Sequence, residues 1–260
     1  MDKKIKLGVS YNCFDDSIDL LEGSIKSIRN VADYVTVIYQ NVSNMNNPAE
    51  MDIKNLLDEL KEKGLVDSYH EFIPKFNVNT PHINELNKRN IGLFDCEGVG
   101  CTHFMSMDCD EYYEEDKLIK AFKEIIEGDY DSSACQLQTY WKTGEYVLDP
   151  PEDYYVSLIY KIRNNVKLEF GVRLPVLVDP TRVMEPGKCR IFKRDELEMH
   201  HVSYVRKNIA RKLYNSSSIS VFNDRIEKLI SDFNNWEYGD IANMPGGTKH
   251  NVRKVKNILE

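Results

Sequence analysis

The stretch Cys101-Thr102-His103-Phe104-Met105-Ser106-Met107-Asp108-Cys109-Asp110-Glu111 decides how this chain is read. A short apolar run ends in three acids. A buried strand therefore opens into an acidic loop, and open α/β sheets build their ligand sites beyond the carboxyl ends of their strands. Two carboxylates, Asp108 and Asp110, in such a loop can hold a hard divalent cation. The same turn can also serve as the cap of the following helix. An EF-hand fits poorly, because its sixth position needs Gly and here it is Tyr113.

Upstream of this stretch the chain alternates strand and helix. Residues 5–10 and 34–39 read as strands, the second rich in β-branched and aromatic residues. Ser17 caps a helix whose apolar stripe is Ile18, Leu21, Ile25 and Ile28. Ile53, Leu56, Leu57 and Leu60 mark a second helix, with Gly64 suited to its end. Residues 65–73 read as a third strand. Thr80-Pro81 starts a helix running to about Cys96, before the strand at 101–107. Leu118, Ile119, Phe122, Ile125 and Ile126 then give a helix that stops near Gly128. Such alternation predicts a mostly parallel central sheet covered by helices on both faces.

Downstream the pattern changes. Residues 133–141, 154–163, 176–178 and 188–192 read as strands of a smaller mixed or antiparallel part. Helices are expected at about 205–214 and 219–234, and the tail from Lys249, with Arg253, Lys254 and Lys256, shows little periodicity. The expected division is residues 1–215 as one domain, with a first half to about 110 and a second half over 111–215. Residues 216–260 then form a helical extension and basic tail.

Bulk composition narrows the class. A chain of 260 residues, 42% hydrophobic and 29% charged, can build a sizeable core and is not a disordered polymer. A net charge of −8 disfavours a general nucleic-acid binder. No apolar run is long enough to span a bilayer, and Met1-Asp2-Lys3-Lys4 leads into no signal-peptide core. Six scattered cysteines form no Cys-x-x-Cys pair. These features predict a soluble cytoplasmic protein, with peripheral membrane contact through the basic tail as the one membrane option.

Two further clusters carry chemistry. Met199-His200-His201 lies near a strand end and is followed by Arg206, Lys207, Arg211 and Lys212. Neutral imidazole ligates manganese-like cations. Successive strand residues face opposite sides, so one histidine of the pair shares a face with the acidic loop, and His201 is preferred. Asn87-Lys88-Arg89-Asn90 lies in the helix before the acidic strand, and arginine suits bidentate contact with phosphate or carboxylate.

This order of elements resembles the GT-A fold of nucleotide-diphospho-sugar transferases, in particular the family 2-like bacterial and phage glycosyltransferases. The resemblance covers roughly residues 4–215 and is carried most specifically by Phe104-Met-Ser-Met-Asp108-Cys-Asp110-Glu111 and His200-His201-Val-Ser-Tyr-Val-Arg206. It implies a hexosyl-transferring enzyme of glycan or polysaccharide synthesis. The donor would be a UDP- or GDP-sugar, the acceptor a glycan or glycoconjugate hydroxyl, and the cofactor Mn²⁺ or Mg²⁺. Tyr11, Asn12, Asp15, Gln40 and Asn41 then stand where the base and ribose are held. Gln40-Asn41 replaces the aspartate-rich loop usual there. Arg89, Arg206 and Lys212 would approach the diphosphate, Asp108 the ribose and metal, and Asp110 and His201 the metal.

A carboxylate must also accept the proton of the acceptor hydroxyl. Asp153 is preferred, with Asp179 and Glu185 as alternatives. Tyr140, Trp141, Tyr146, Tyr154 and Tyr155 crowd that region and either stack on an acceptor sugar or pack. A pyrophosphorylase is disfavoured, because Val9 to Asp15 holds no glycine for a phosphate loop. A non-catalytic sugar- or metal-binding module is the remaining alternative.

Overall fold

The computed structural model describes residues 4–163 and 166–259. Residues 1–3 of the amino-terminal reading lie outside them. Four parallel strands form the first half of the sheet: β1 (Leu7–Cys13), β2 (Tyr34–Tyr39), β3 (Ser68–Glu71) and β4 (His103–Asp108). Their order is β4-β1-β2-β3. Helices α1 (Ile18–Ile28), α2 (Ile53–Glu62) and α3 (Pro81–Gly98) connect them, and α4 (Glu115–Glu127) follows the acidic loop. The apolar stripes of α1, α2 and α4 meet the residues of β1 and β2 that are buried on one face, and α3 covers the other. Strands buried on both faces read as near-continuous apolar runs, as β2 does.

Local signals explain most boundaries. Thr80 Oγ1 accepts from the Ile83 amide at 3.3 Å and Pro81 opens α3. Gly64 takes φ +71° after α2, a conformation that favours glycine. Ser17 precedes α1 as expected, but its hydroxyl donates to the Phe14 carbonyl and makes no capping bond. Gly92 lets α3 close on β1: a Cβ there would meet the Ser10 Cβ at 2.5 Å.

Beyond the acidic loop the sheet is mixed. Two residues, β5 (Glu111–Tyr112), pair antiparallel with β10 (Glu198–Tyr204). The long β6 (Ser132–Trp141) pairs parallel with β10 and with β9 (Cys189–Phe192). It pairs antiparallel with β7 (Tyr146–Asp149) and β8 (Tyr155–Lys161). β8 also runs antiparallel to β4, joining the two halves.

Three sequence expectations change. Residues 176–178 are not a strand: proline stands on either side, at 175 and 180, and among the described residues they make one backbone bond, from the Tyr155 amide to the Leu177 carbonyl. Residues 219–234 are not one helix. Serine- and asparagine-rich sequence gives two short 3-10 turns before α6 (Ile226–Asn235), and α5 (Ile209–Asn215) starts only where Asn208 caps it. The basic tail is ordered: β12 (Lys249–Lys254) pairs with β7 and with β11 (Ala242–Asn243). Trp141 and Leu148 join Leu213, Leu229, Phe233 and Trp236 in a separate core beneath this part. Among the described residues no helix is long and apolar enough to cross a membrane.

Candidate active site

The parallel register aligns Asn12 with Asp108 at the carboxyl ends of β1 and β4. Beyond them opens a cleft of about 440 Å³. The two-residue β5 brings the distant His cluster to this point. It sets His201 opposite Glu111, and the Val202 amide donates to the Asp110 carbonyl at 2.9 Å. Strand alternation then separates the two histidines. His201 lines the cleft with Nε2 3.9 Å from Asp110 Oδ1. His200 faces the other side, against the Tyr140 hydroxyl at 3.0 Å and Glu114 at 3.5 Å.

Each acid of the motif has its own cations. Asp110, 4% exposed, pairs with Arg206 Nη2 at 2.5 Å and Lys212 Nζ at 3.4 Å. Burial opposes its ionisation, but Lys212, Arg206 and His201 outweigh burial and hold the carboxyl well below its ordinary range. Asp108 Oδ2 is taken by two guanidiniums, Arg89 at 3.1 Å and Arg182. Burial again opposes, and Arg182 and Arg89 bring that carboxyl down to about 2. Glu111 accepts from the Asp108 amide at 3.2 Å and faces Arg182 Nη1 at 2.6 Å. Here burial wins over Arg182, with Asp108 and Asp110 repelling as well, and the carboxyl rises to about 7.

These shifts set a pH dependence of stability. Asp108 contributes stability that is complete above its ordinary 3.8 and is lost as pH falls towards 2. Glu111 works in the opposite sense: its contribution is complete below its ordinary 4.5 and is lost as pH rises through 7. Because the buried histidines His103, His200 and His201, held below their ordinary range, act in the opposite sense, the readout is a difference: the urea midpoint of the parent relative to Glu111→Gln is expected to fall from about pH 4.5 to pH 7.5. An unchanged slope in the variant would remove Glu111 from this role.

The other sequence-predicted residues divide between the cleft and its surroundings. Asn12, Gln40, Asp108, Asp110, Arg206 and Lys212 line the cleft. Tyr11 does not: its side chain is buried in the core, with its hydroxyl 3.2 Å from Ser24 Oγ, because alternation turns it away from Asn12. Asp15 is an ion-pair anchor, binding Arg211 at 2.6 Å and the Glu50 amide. Asn41 is exposed and donates to Glu71 at 2.9 Å. Arg89 is fully buried behind the cleft. It contacts Glu85 at 2.7 Å, Ser106 at 3.0 Å and Thr181 at 3.2 Å, besides Asp108. With its amide oxygen towards Arg89, Asn12 accepts from Nη1 at 2.8 Å and Nε at 3.1 Å. Arg89 thus holds Asp108 in place rather than facing the cleft itself.

Asp153 is also misplaced by the sequence reading. It is exposed in the turn between β7 and β8 and does not line the cleft, and Glu185 is exposed too. Asp179 does line it. Its Oδ1 accepts from the Thr181 amide and hydroxyl, both at 2.8 Å, and Oδ2 lies 3.4 Å from Arg182 Nε. Arg182 is the largest omission: it reaches Asp108, Glu111 and Asp179 from a loop whose sequence has no periodicity. Of the clustered aromatics only Tyr154 and Tyr155 line the cleft. Trp141 and Tyr146 pack with the carboxyl-terminal core.

Among the described residues no group of three or more acidic, histidine or cysteine side chains forms a ready-made metal cage. Asp110 and His201 nevertheless fit a cation that draws its remaining ligands from a bound molecule. The carboxylate is ionised, and burial lowers the His201 imidazole against the pull of Asp110, leaving it neutral at pH 7. Among the described residues the cleft is lined by six carboxylates, Asp16, Glu85, Asp108, Asp110, Glu111 and Asp179, against four cations, Lys88, Arg182, Arg206 and Lys212. Arg89 behind the cleft pairs with Glu85 and Asp108, and burial raises Glu111 towards neutrality, so the lining is close to charge balance.

No protein-family model and no curated protein matches the chain. Among solved structures, S. aureus TarS residues 1–349 gives a TM-score of 0.48 at 12% identity, over 89% of this chain and 71% of that one. TarS 1–349 in complex with UDP-GlcNAc gives 0.36 at 14% identity, over 52% and 35%. Mannose-1-phosphate geranyltransferase from Thermus thermophilus gives 0.34 at 9%, over 62% and 51%. The matched region spans only 36% and 35% of the two nucleotide-bound TarS chains. Likenesses of this size assign nothing.

Proposed function

We propose that this chain is a GT-A-type glycosyltransferase, moving a hexose from a UDP- or GDP-sugar to an acceptor hydroxyl on a glycan or glycoconjugate. The observation that carries the reading is the approach of Asp110 and His201 to 3.9 Å, with Arg206 and Lys212 beside them, at the carboxyl end of the parallel strands. Asp110 and His201 would hold Mn²⁺ or Mg²⁺, which supplies Lewis-acid stabilisation of the charge left on the departing diphosphate. Arg206 and Lys212 share that charge by direct hydrogen bonding. Asp108, fixed by Arg89 and Arg182, offers its remaining oxygen to the ribose. Asn12 and Gln40 line the nucleoside end.

Asp179 replaces Asp153 as the base in this proposal. It is the one of the three base candidates in the cleft, and Tyr154 and Tyr155 stand on the same wall. Asp179→Asn is expected to lower transfer by about 10²–10⁴-fold, the usual range for a general base, and Asp153→Asn to change it less than about twofold. Initial rates on one donor–acceptor pair check this, and the reverse ranking would restore Asp153.

The reading itself is tested by titrating UDP and GDP with and without Mn²⁺ and by a nucleotide-sugar hydrolysis panel. Binding strengthened by Mn²⁺ and release of one nucleoside diphosphate are expected. Absence of any nucleotide binding, with or without metal, would overturn the assignment.

A further inference from the structure

Lys88 is a buried ammonium with too few partners. It is 5% exposed, and among the described residues its one hydrogen bond runs to the Cys13 carbonyl, at a long 3.4 Å. An ammonium has three donors, and a buried charge with unused donors is costly. Burial lowers its proton affinity, against Cys13, Glu85 and Asp108. Neither Glu85 nor Asp108 forms an ion pair with it; both are engaged by Arg89. Yet Lys88 lines the cleft, on α3, beside the ends of β1 and β2 where Asn12, Phe14 and Gln40 also line it. The cations set against Asp110, by contrast, come from the chain after β10.

Given the nucleotide-sugar reading, on which this rests, we propose that Lys88 reads the nucleobase by donating to a ring carbonyl oxygen, so that the cleft selects keto bases over adenine. Uracil and guanine each present such an oxygen at the base edge. Adenine presents an amino group there, which repels an ammonium instead of accepting from it. A ligand carbonyl supplies the acceptor that the protein withholds, so the energy of burying Lys88 is recovered only when the right base is bound. The position on α3 next to Arg89 explains how the two neighbours differ: Arg89 turns into the protein and meets carboxylates, whereas Lys88 turns to the cleft and meets one backbone oxygen.

The test is calorimetric titration of the full chain with UDP, GDP and ADP in the presence of Mn²⁺, repeated on Lys88→Met. Methionine keeps the apolar stem and removes a poorly paired charge, so a thermal melt at or above that of the parent is expected. The parent should bind UDP or GDP at least about tenfold more tightly than ADP, the discrimination expected of one charge-assisted bond, and the variant should lose that preference while its ADP affinity stays within about threefold. Equal binding of all three by the parent would overturn the inference and leave the reading intact. So would an equal loss for UDP, GDP and ADP in the variant, which would place Lys88 on the shared ribose and diphosphate. No binding of any nucleotide by the parent would overturn the reading and the inference together.

Discussion

Asp110→Asn is expected to abolish the Mn²⁺-dependent part of nucleotide binding and to lower sugar-nucleotide turnover by at least about 10²-fold, the scale of losing one preorganised electrostatic group. Asparagine is the informative replacement. It keeps an oxygen for Arg206, which is otherwise paired with Asp110 at 2.5 Å and donates to the Asp16 carbonyl. It removes the anionic oxygen that faces His201. Alanine would confound the result, because it leaves the buried Arg206 guanidinium with only Asp16, at 3.9 Å, as a counter-ion and so also costs stability. Comparing Asp110→Asn with Asp110→Ala therefore separates the chemistry from the fold. Titration with UDP or GDP, with and without Mn²⁺, reads the first; a thermal melt reads the second. Full Mn²⁺-dependent hydrolysis in Asp110→Asn would return the acidic motif to the status of a structural turn.

Arg89→Met carries the largest expected stability loss, about 3–5 kcal/mol, because it strips one cation from a buried network and leaves its acids uncompensated. Among the described residues no other charged side chain is as large and as fully buried. Glu85 and Asp108 both pair with Arg89 Nη2, and Thr181 and Ser106 spend their hydroxyls on its other nitrogens. Arg182 alone would then hold Asp108. With native proteins stable by only about 5–15 kcal/mol, the loss is a large share of the total. A drop in Tm on the order of 10 °C follows from the size scaling of unfolding entropy. Arg89→Lys should recover little, since a single ammonium cannot replace a planar fork. A melt of Arg89→Met indistinguishable from the parent would show that the network is solvated and of little weight.

Which parts of this were legible in the sequence follows from the range of each interaction. The stripe Ile18, Leu21, Ile25, Ile28 and the run at 34–39 report burial by local periodicity, and they gave α1 and β2 closely. Thr80-Pro81 reports a cap within four residues, and the cap is there. By contrast β5 is two residues long, too short for any periodicity, yet it seats His201 beside the acidic loop. Alternation allowed only one of His200 and His201 to share a face with Asp110, and the strand turns His201 to it, but nothing local gave the choice or the distance.

The inward positions of Tyr11 and Arg89 do have local signs in the sequence. Tyr11 and Asn12 are strand neighbours, so only one could face the cleft. Arg89 stands three residues after Leu86 and four before Leu93, on the stripe that packs inward, so helical spacing already turned it towards the core. The choice between Asp153 and Asp179 had no such sign. Both lie in irregular segments, and the loop that presents Asp179 takes its shape from contacts made far along the chain.

Those contacts also say how the cleft can move. Asn90 on α3 receives the Leu168 amide and donates to the Leu168 carbonyl, both at 2.9 Å, so one side chain does for that residue what a neighbouring strand would do. One residue earlier, Arg89 grips Thr181. The segment carrying Asp179 and Arg182 is thus tied to α3 at two points and to β8 at two more, through the Tyr155 amide on the Leu177 carbonyl at 3.2 Å and the Ser157 hydroxyl on the Arg182 carbonyl at 3.0 Å. Held by the helix on one side and the strand on the other, the loop lacks the free swing of a segment fixed only at its ends.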